Sequence, residues 1–417
     1  MSLIGTLTTG VSGVLSNSRA LNIIGDNISN VNTTGFKSSK AVFGDLFSTS
    51  LAGGTLTSQV GKGAQLLGSL QSFAQGAFEN STSALDLAVD GNGFFIVNDG
   101  TGNFFTRAGQ FRVNENGLVE TLTGEILQGF QITNNVVGTN LSDVSLTGVQ
   151  SQPQVTTAFT LGAQLDGSEV TNFSFNSPIQ VFNSVGTQDI LNIQFIKQST
   201  ITNNWDYIIT SQEGTVAAGG TGTLSFDATG QLIDSDPAAG NLVADIAITI
   251  DYSASSPPAG AAQVINWSLT SAPGVSNGAM TAFATSSSNN SVIQDGFGSG
   301  ILVGVGVDFD GTVSGLFDNG QSQPLFQLGL ANFLSPTGLT RLGQNLFAES
   351  RLSGQPVISL PETGAFGSVL GNTLELSNVD LAEEFVQLIK TQQAFQASAR
   401  IISTTDDLLT ETVNLTR

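Results

Sequence analysis

The chain has 417 residues, enough for more than one core, with no cysteine, no histidine and a net charge of −21. Lacking Cys and His, it has no disulfides, no thiolate or imidazole catalysis and no His-ligated metal. Charged residues make up only 11% and glycines number 49, which excludes charge-driven disorder and points to β-rich domains with many tight turns.

The charge is unevenly placed. Residues 1–80 carry four basic and three acidic groups and residues 378–417 carry three and six, so the termini hold +1 and −3 and the middle holds −19. An acidic middle argues against a nucleic-acid partner, which needs a basic patch. No apolar run reaches the length of a membrane span, so no membrane insertion is expected. The first positive charge is Arg19, after the apolar residues of MSLIGTLTTGVSGVL, so a cleaved secretory signal is not expected either.

Residues 1–31 show a helical stripe. Leu7, Val11, Val14, Leu21 and Ile28 follow a heptad, with Ser18 and Gly25 in the gaps and Ile4, Leu15 and Ile24 beside it. Gly10, Gly13 and Gly25 each cost about 1 kcal/mol relative to Ala inside a helix, so this helix needs a partner. The pattern breaks at Asn32-Thr33-Thr34-Gly35, and residues 32–80 read as an extended, irregular connector rich in glycine. From Leu85 the period becomes that of strands. LDLAVD, FFIVND, FFTRAGQF and GLVETL are separated by DGNG, DGTGN and NENG, which are turn sequences. We read residues 81–153 and 290–377 as the two parts of one β domain. Residues 154–289, with PIQVFNSVGTQDILNIQFIKQ, NNWDYIIT, GTLSFDATGQLI and DIAITIDYSA, read as a second β domain inserted into it.

Residues 378–417 close the chain with a second helix. Leu381, Phe385, Leu388, Phe395, Ala399, Ile402, Leu409 and Val413 recur at steps of three and four, and Gln392 and Asp406 occupy the two places that would complete the series. Asp380 followed by Glu383 is a capping-box start. At about 1.5 Å per residue the helix would be roughly 50 Å long. Between Val386 and Thr405 its only charges are Lys390 and Arg400, so its other faces are expected to meet protein as well. Pairing with the first helix is the favoured arrangement, and docking on its own domain is the alternative.

Motifs for chemistry fail on spacing. Counting from Asp308, DFDG places Val313 and Asn319 where a calcium loop needs Gly and Glu, so it reads as a turn. The glycines from Gly296 to Gly306 precede no Lys-Ser or Lys-Thr and open no helix, and Gly61-Lys62-Gly63 lacks the rest of a Walker motif. Paired carboxylates for glycoside hydrolysis usually come with stacking aromatics, yet Trp205, Trp267, Tyr207 and Tyr252 are the only Trp and Tyr residues. No catalytic, cofactor or metal site is assigned.

Four stretches in order resemble the bacterial flagellar rod and hook axial proteins. They are ALNIIGDNISNVNTTGFKSSKAVF, with the signature residues Asn32, Thr33, Gly35, Phe36 and Lys37; LDLAVDGNGFFIV with FTRAGQFRVNENG; VDFDGTVSGLFDNGQSQPLFQLGLANF; and SGQPVISLPETGAFGSVLGNTLELSNVDLAEEFVQLIKTQQAFQASARII. The inserted block is similar to the outer domain of the family's hook members, whereas the distal rod member is shorter and lacks it. The resemblance implies an α+β fold, mostly β, in which paired terminal helices form a coiled coil carrying two β domains, the outer inserted in the inner. It implies a structural protein with no enzymatic activity, polymerising into a curved, flexible tube that transmits torque as a universal joint. It further implies termini that order on assembly and an extracellular location in the flagellum. Export would run through a type III apparatus, and the contacts would be with the distal rod, hook cap and hook-filament junction proteins. Phe43 and Phe47 resemble the family's short export motif. Another axial protein of the same organelle remains the near alternative; a secreted β-rich adhesin or fibre, and an acidic polysaccharide hydrolase, are alternatives of other classes.

Overall fold

The computed structural model describes residues 3–46, 49–50, 59–199, 202–235, 242–255, 257–260 and 262–415. The chain divides into two compact units: Met1–Gly148 with Gly304–Gly315 and Ser322–Arg417, and Val149–Val303 with Leu316–Gln321. The architecture is mostly β with one long helix near each end, the class expected from the sequence.

In the first unit, helix α1 runs over Leu3–Ser29 and helix α2 over Leu381–Leu415. Neither Pro nor Gly interrupts the 35 residues of α2, and its first turn is closed by Asp380, whose Oδ1 accepts the Ala382 and Glu383 amides at 2.8 and 3.2 Å. The expected capping box is half present, because the Glu383 carboxylate points to Lys40 Nζ at 3.4 Å. The region expected to be an irregular connector contains a strand pair: Ser39–Asp45 runs antiparallel to Ala64–Gln71, with a bulge between Val42 and Phe43. Phe47 lies outside the described residues.

The β part of this unit is closed by residues far apart in sequence. Phe94–Asn98 pairs with Asn103–Thr106 on one side and with Ile126–Thr133 and Leu330–Asn332 on the other. Leu87–Asp90 pairs with Ser368–Gly371, and Phe78–Asn80 with Thr373–Glu375. Alternation along Phe94–Asn98 buries both faces. Phe95 and Val97 enter a core with Leu127, Leu328 and Val369, while Phe94 and Ile96 enter a second core with Phe105, Phe333 and Phe347. Edge-to-face rings bind the second core, Phe105 to Phe333 at 4.8 Å and Phe73 to Phe94 at 5.5 Å.

The second unit packs a six-stranded sheet on a five-stranded one. The five-stranded sheet is an antiparallel meander in the order 174–182, 188–197, 204–211, 221–226 and 232–234. The other is built around Ala158–Gln164, which pairs parallel with Gln263–Trp267 and antiparallel with Ser288–Gln294. Trp205 and Trp267, both fully buried, anchor the core between them together with Phe159, Phe195, Tyr207 and Ile250.

Candidate functional site

The residues that the sequence singles out lie along the two helices and at their base. Along α2, the residues withdrawn from solvent are Glu384, Leu388, Thr391, Phe395, Ser398, Ile402, Thr405 and Leu409. Their spacing of four and three is a heptad seam. It contains four of the residues expected there, Leu388, Phe395, Ile402 and Leu409. The alternate layer lies one residue before the expected one. Leu381, Phe385, Gln392, Ala399, Asp406 and Val413 are exposed, Phe385 by 49% and Val413 by 63%.

The physical reason is on α1. A Cβ at Gly10 would lie 2.9 Å from Ile402 Cγ1, and one at Gly13 would lie 2.6 Å from Ser398 Oγ. The helices approach closely at these two glycines, with Ile402 and Ser398 of α2 packed against them, and this contact sets the rotation of α2 about its axis. On α1 itself the fully buried side chains are Ser16, Ala20, Ile24 and Asn27. Leu7, Val14, Leu21 and Ile28 are half-buried, and Val11 is exposed. The strand pair accounts for this, since Ser16 Oγ donates to the Ala64 carbonyl at 3.0 Å, while Asn27 donates to the Ser39 carbonyl and accepts the Ser39 amide. Asn27 Nδ2 also donates to Glu384 Oε1 at 2.9 Å, linking the two helices, and burial pushes the Glu384 carboxyl above its usual range.

A groove of about 190 Å³ lies among these three elements, lined by Ala20, Ile24, Phe43, Glu383, Gln387 and Thr391. Phe43 is 46% exposed. Further apolar side chains on the outer surface of the helices and strand pair are Ile4, Leu15, Leu67, Leu70, Val386 and Ile389. For a helix pair standing alone, such exposure is unusual.

The base of the helices is locked by the signature residues. Asn32 is exposed and Thr33 half-buried in the turn that ends α1, where the Thr33 amide donates to the Asn30 carbonyl. Gly35, at φ +69, donates its amide to the Glu375 carbonyl, and a Cβ there would stand 2.5 Å from the Ala108 nitrogen. Only glycine fits both the angle and the gap. Phe36 is buried beneath the Arg341 guanidinium, 5.4 Å from the ring centre.

Lys37 is fully buried. Its Nζ donates to Glu375 Oε1 at 2.7 Å and to the Ala74 carbonyl at 2.8 Å. Arg107 reaches the other oxygen of Glu375 at 3.2 Å and donates to the Val89 and Gly91 carbonyls. The Gly76 amide also donates to Glu375. Burial pulls the Lys37 ammonium below its usual range despite the carboxylate beside it, and does the same to Arg107. Sequence reasoning selected Lys37 but gave no signal for Glu375, which is 338 residues away.

Comparison with known proteins matches four successive segments to family models: the flagella basal body rod protein over residues 7–37, the flagellar hook protein FlgE/F/G D1 domain over 88–159, the flagellar basal body protein FlaE D2 domain over 140–297, and the flagellar basal body rod FlgEFG protein C-terminal over 371–415. The flagellar hook protein FlgE of Borreliella burgdorferi is 33% identical, over 98% of this chain and 99% of its own. That of Escherichia coli K12 is 33% identical over 97% and 98%, and that of Treponema pallidum 30% over 99% of each. The chain belongs to the flagellar hook protein family. A crystal structure of Helicobacter pylori flagellar hook protein FlgE2 covers 70% of the chain and 98% of its own, with a TM-score of 0.44 and 13% identity. Within the hook family match, Lys37, Arg107 and Glu375 fall in three different family segments, so one buried cluster joins the rod-type N-terminus, the D1 domain and the C-terminal segment.

Proposed function

We propose that this chain is the structural subunit of a bacterial flagellar hook, polymerising through its paired terminal helices into a curved tube that passes torque from rod to filament. The observation that carries the reading is the exposed half of the heptad. Leu381, Phe385, Val386 and Ile389 form an apolar stripe on α2 outside its seam with α1, and neighbouring copies would cover it. Gln392, Ala399 and Asp406 continue along the outward side and would set the register between subunits. The buried cluster around Glu375 gives the helices a rigid base against which load can be transmitted.

Family membership supports a location in the flagellum beyond the cell envelope. Type III export without a cleaved signal, with Phe43 and Phe47 as an export element, and docking to the distal rod, hook cap and hook-filament junction proteins belong to this proposal. The test is electron microscopy of the purified chain at high concentration. Tubes with an axial channel are expected. Phe385→Asp is expected to abolish them while moving the monomer's thermal midpoint by less than about 2 °C. A large drop in midpoint would instead place Phe385 in the chain's own packing.

A further inference from the structure

The chain contains four Asn-Gly steps, at 92–93, 116–117, 277–278 and 319–320. Such a step can react with itself, because a glycine has no Cβ to obstruct the approach of its nitrogen to the preceding side chain. The glycine N–H gives its proton to water, its nitrogen bonds to the Asn Cγ, and the side-chain amide leaves as ammonia, closing a succinimide ring. Water then opens the ring at either carbonyl. One product is aspartate; the other is isoaspartate, whose main chain runs through Cβ and Cγ and is one atom longer.

Hydrogen bonds hold three of the four steps. The Gly117 amide donates to the Asn114 carbonyl at 2.9 Å, that of Gly320 to the Phe317 carbonyl at 3.0 Å, and that of Gly278 to Ser276 Oγ at 3.1 Å. Two of the carboxamides are pinned as well. Asn277 donates to the Ser268 carbonyl and accepts the Ala279 amide, and Asn319 donates to the Gly298 carbonyl and accepts the Gln321 amide. Attack at these steps has to break such bonds first. Asn92 differs. It is exposed, and among the described residues neither its carboxamide nor the Gly93 amide has a hydrogen-bond partner.

An extra main-chain atom would be felt in this turn, which joins Leu87–Asp90 to Phe94–Asn98. Gly91 donates its amide to Gln75 Oε1 at 2.8 Å, and its carbonyl accepts Arg107 Nη2 at 2.7 Å. The Asn92 carbonyl accepts the Gly367 amide at 2.8 Å, and a Cβ on Gly93 would stand 3.1 Å from Leu330 Cδ1. Phe94, two residues beyond Asn92, is buried with the Arg107 guanidinium 5.3 Å from its ring centre. The turn therefore lies between two of the groups that hold Arg107, and Arg107 in turn holds Glu375 at 3.2 Å.

We propose that Asn92 is a site of spontaneous deamidation, and that its isoaspartate product loosens the first unit where Arg107 meets Glu375. The purified full-length chain is aged in warm neutral buffer and sampled by peptide mapping with mass spectrometry, which reads the gain of one mass unit and separates isoaspartate from aspartate. Asn92 is expected to react about tenfold faster than Asn277 and Asn319, the difference made by one ordinary hydrogen bond that must break before attack. A rate at Asn92 no higher than theirs overturns the site. The aged chain is then expected to melt earlier than the fresh chain in the transition of the first unit, whereas Asn92→Ser, which has no carboxamide to lose, keeps its midpoint through the same ageing. Freshly purified Asn92→Asp adds the charge without the extra atom and is expected to melt with the fresh wild type. An unchanged midpoint in a chain carrying isoaspartate at 92, or an equal drop in fresh Asn92→Asp, overturns the loosening by the longer main chain.

Discussion

The helical end of the first unit and the inserted β unit solve opposite problems. In the inserted unit, alternation along each strand sends every large residue of Gln188–Lys197 and Asn204–Ser211 either to a closed core or to a thinly charged face. The helix pair closes around small residues, Gly10, Gly13 and Ser398, and leaves Phe385, Val386 and Ile389 in solvent. The inserted unit closes a large core within the monomer, whereas in the proposed polymer neighbouring copies would cover the exposed side of the helices, and substitutions can probe the two separately.

The largest separable effect belongs to the buried cluster. Glu375→Ala leaves Lys37 and Arg107 desolvated without a counter-charge, and breaking such a pair costs about 3–5 kcal/mol. A calorimetric scan should show a large loss in the transition of the first unit while that of the inserted unit holds. A common drop in both would break the comparison. Next come the glycines of α1. Gly10→Leu drives a side chain into Ile402 and the Ser398 carbonyl, an overpacking worth about 1–3 kcal/mol, and should raise the concentration needed for tubes. Gly25→Ala, where a Cβ meets nothing within 4 Å, should do the reverse by about 1 kcal/mol. Sedimentation at graded concentrations reads both.

The smallest effect is that of pH on Glu384. Burial raises its carboxyl, so the folded helix pair binds a proton that the unfolded chain releases. Its contribution is present in full below the ordinary carboxylate range and is lost as pH rises through the raised value. Glu384→Gln should remove that dependence, seen as a flatter plot of α-helical circular dichroism between mildly acidic and neutral pH.

The strands and their turns were legible because alternation and Gly-Asn-Asp punctuation are local. The heptad period was legible too, and Leu388, Phe395, Ile402 and Leu409 fall where it indicates. The alternate layer was not. Hydrophobicity favoured Phe385 over Glu384 and Ala399 over Ser398, whereas the rotation of α2 is set by contacts with residues far away in the chain, Ser398 with Gly13 and Glu384 with Asn27. The strand pair Ser39–Asp45 with Ala64–Gln71 was masked by glycines and by the low contrast of its alternation. Nothing local to Glu375 announces Lys37 or Arg107, because burial of a charge depends on what the rest of the chain brings to it.

Both tryptophans, Trp205 and Trp267, sit in the core of the inserted unit. The intrinsic fluorescence of the intact chain is thus a reporter of that unit alone and is silent about the helices. A single sample followed at once by tryptophan emission and by the far-ultraviolet helix signal yields two separate readings, one for the scaffold and one for the ends. No label, truncation or domain dissection is needed to tell them apart.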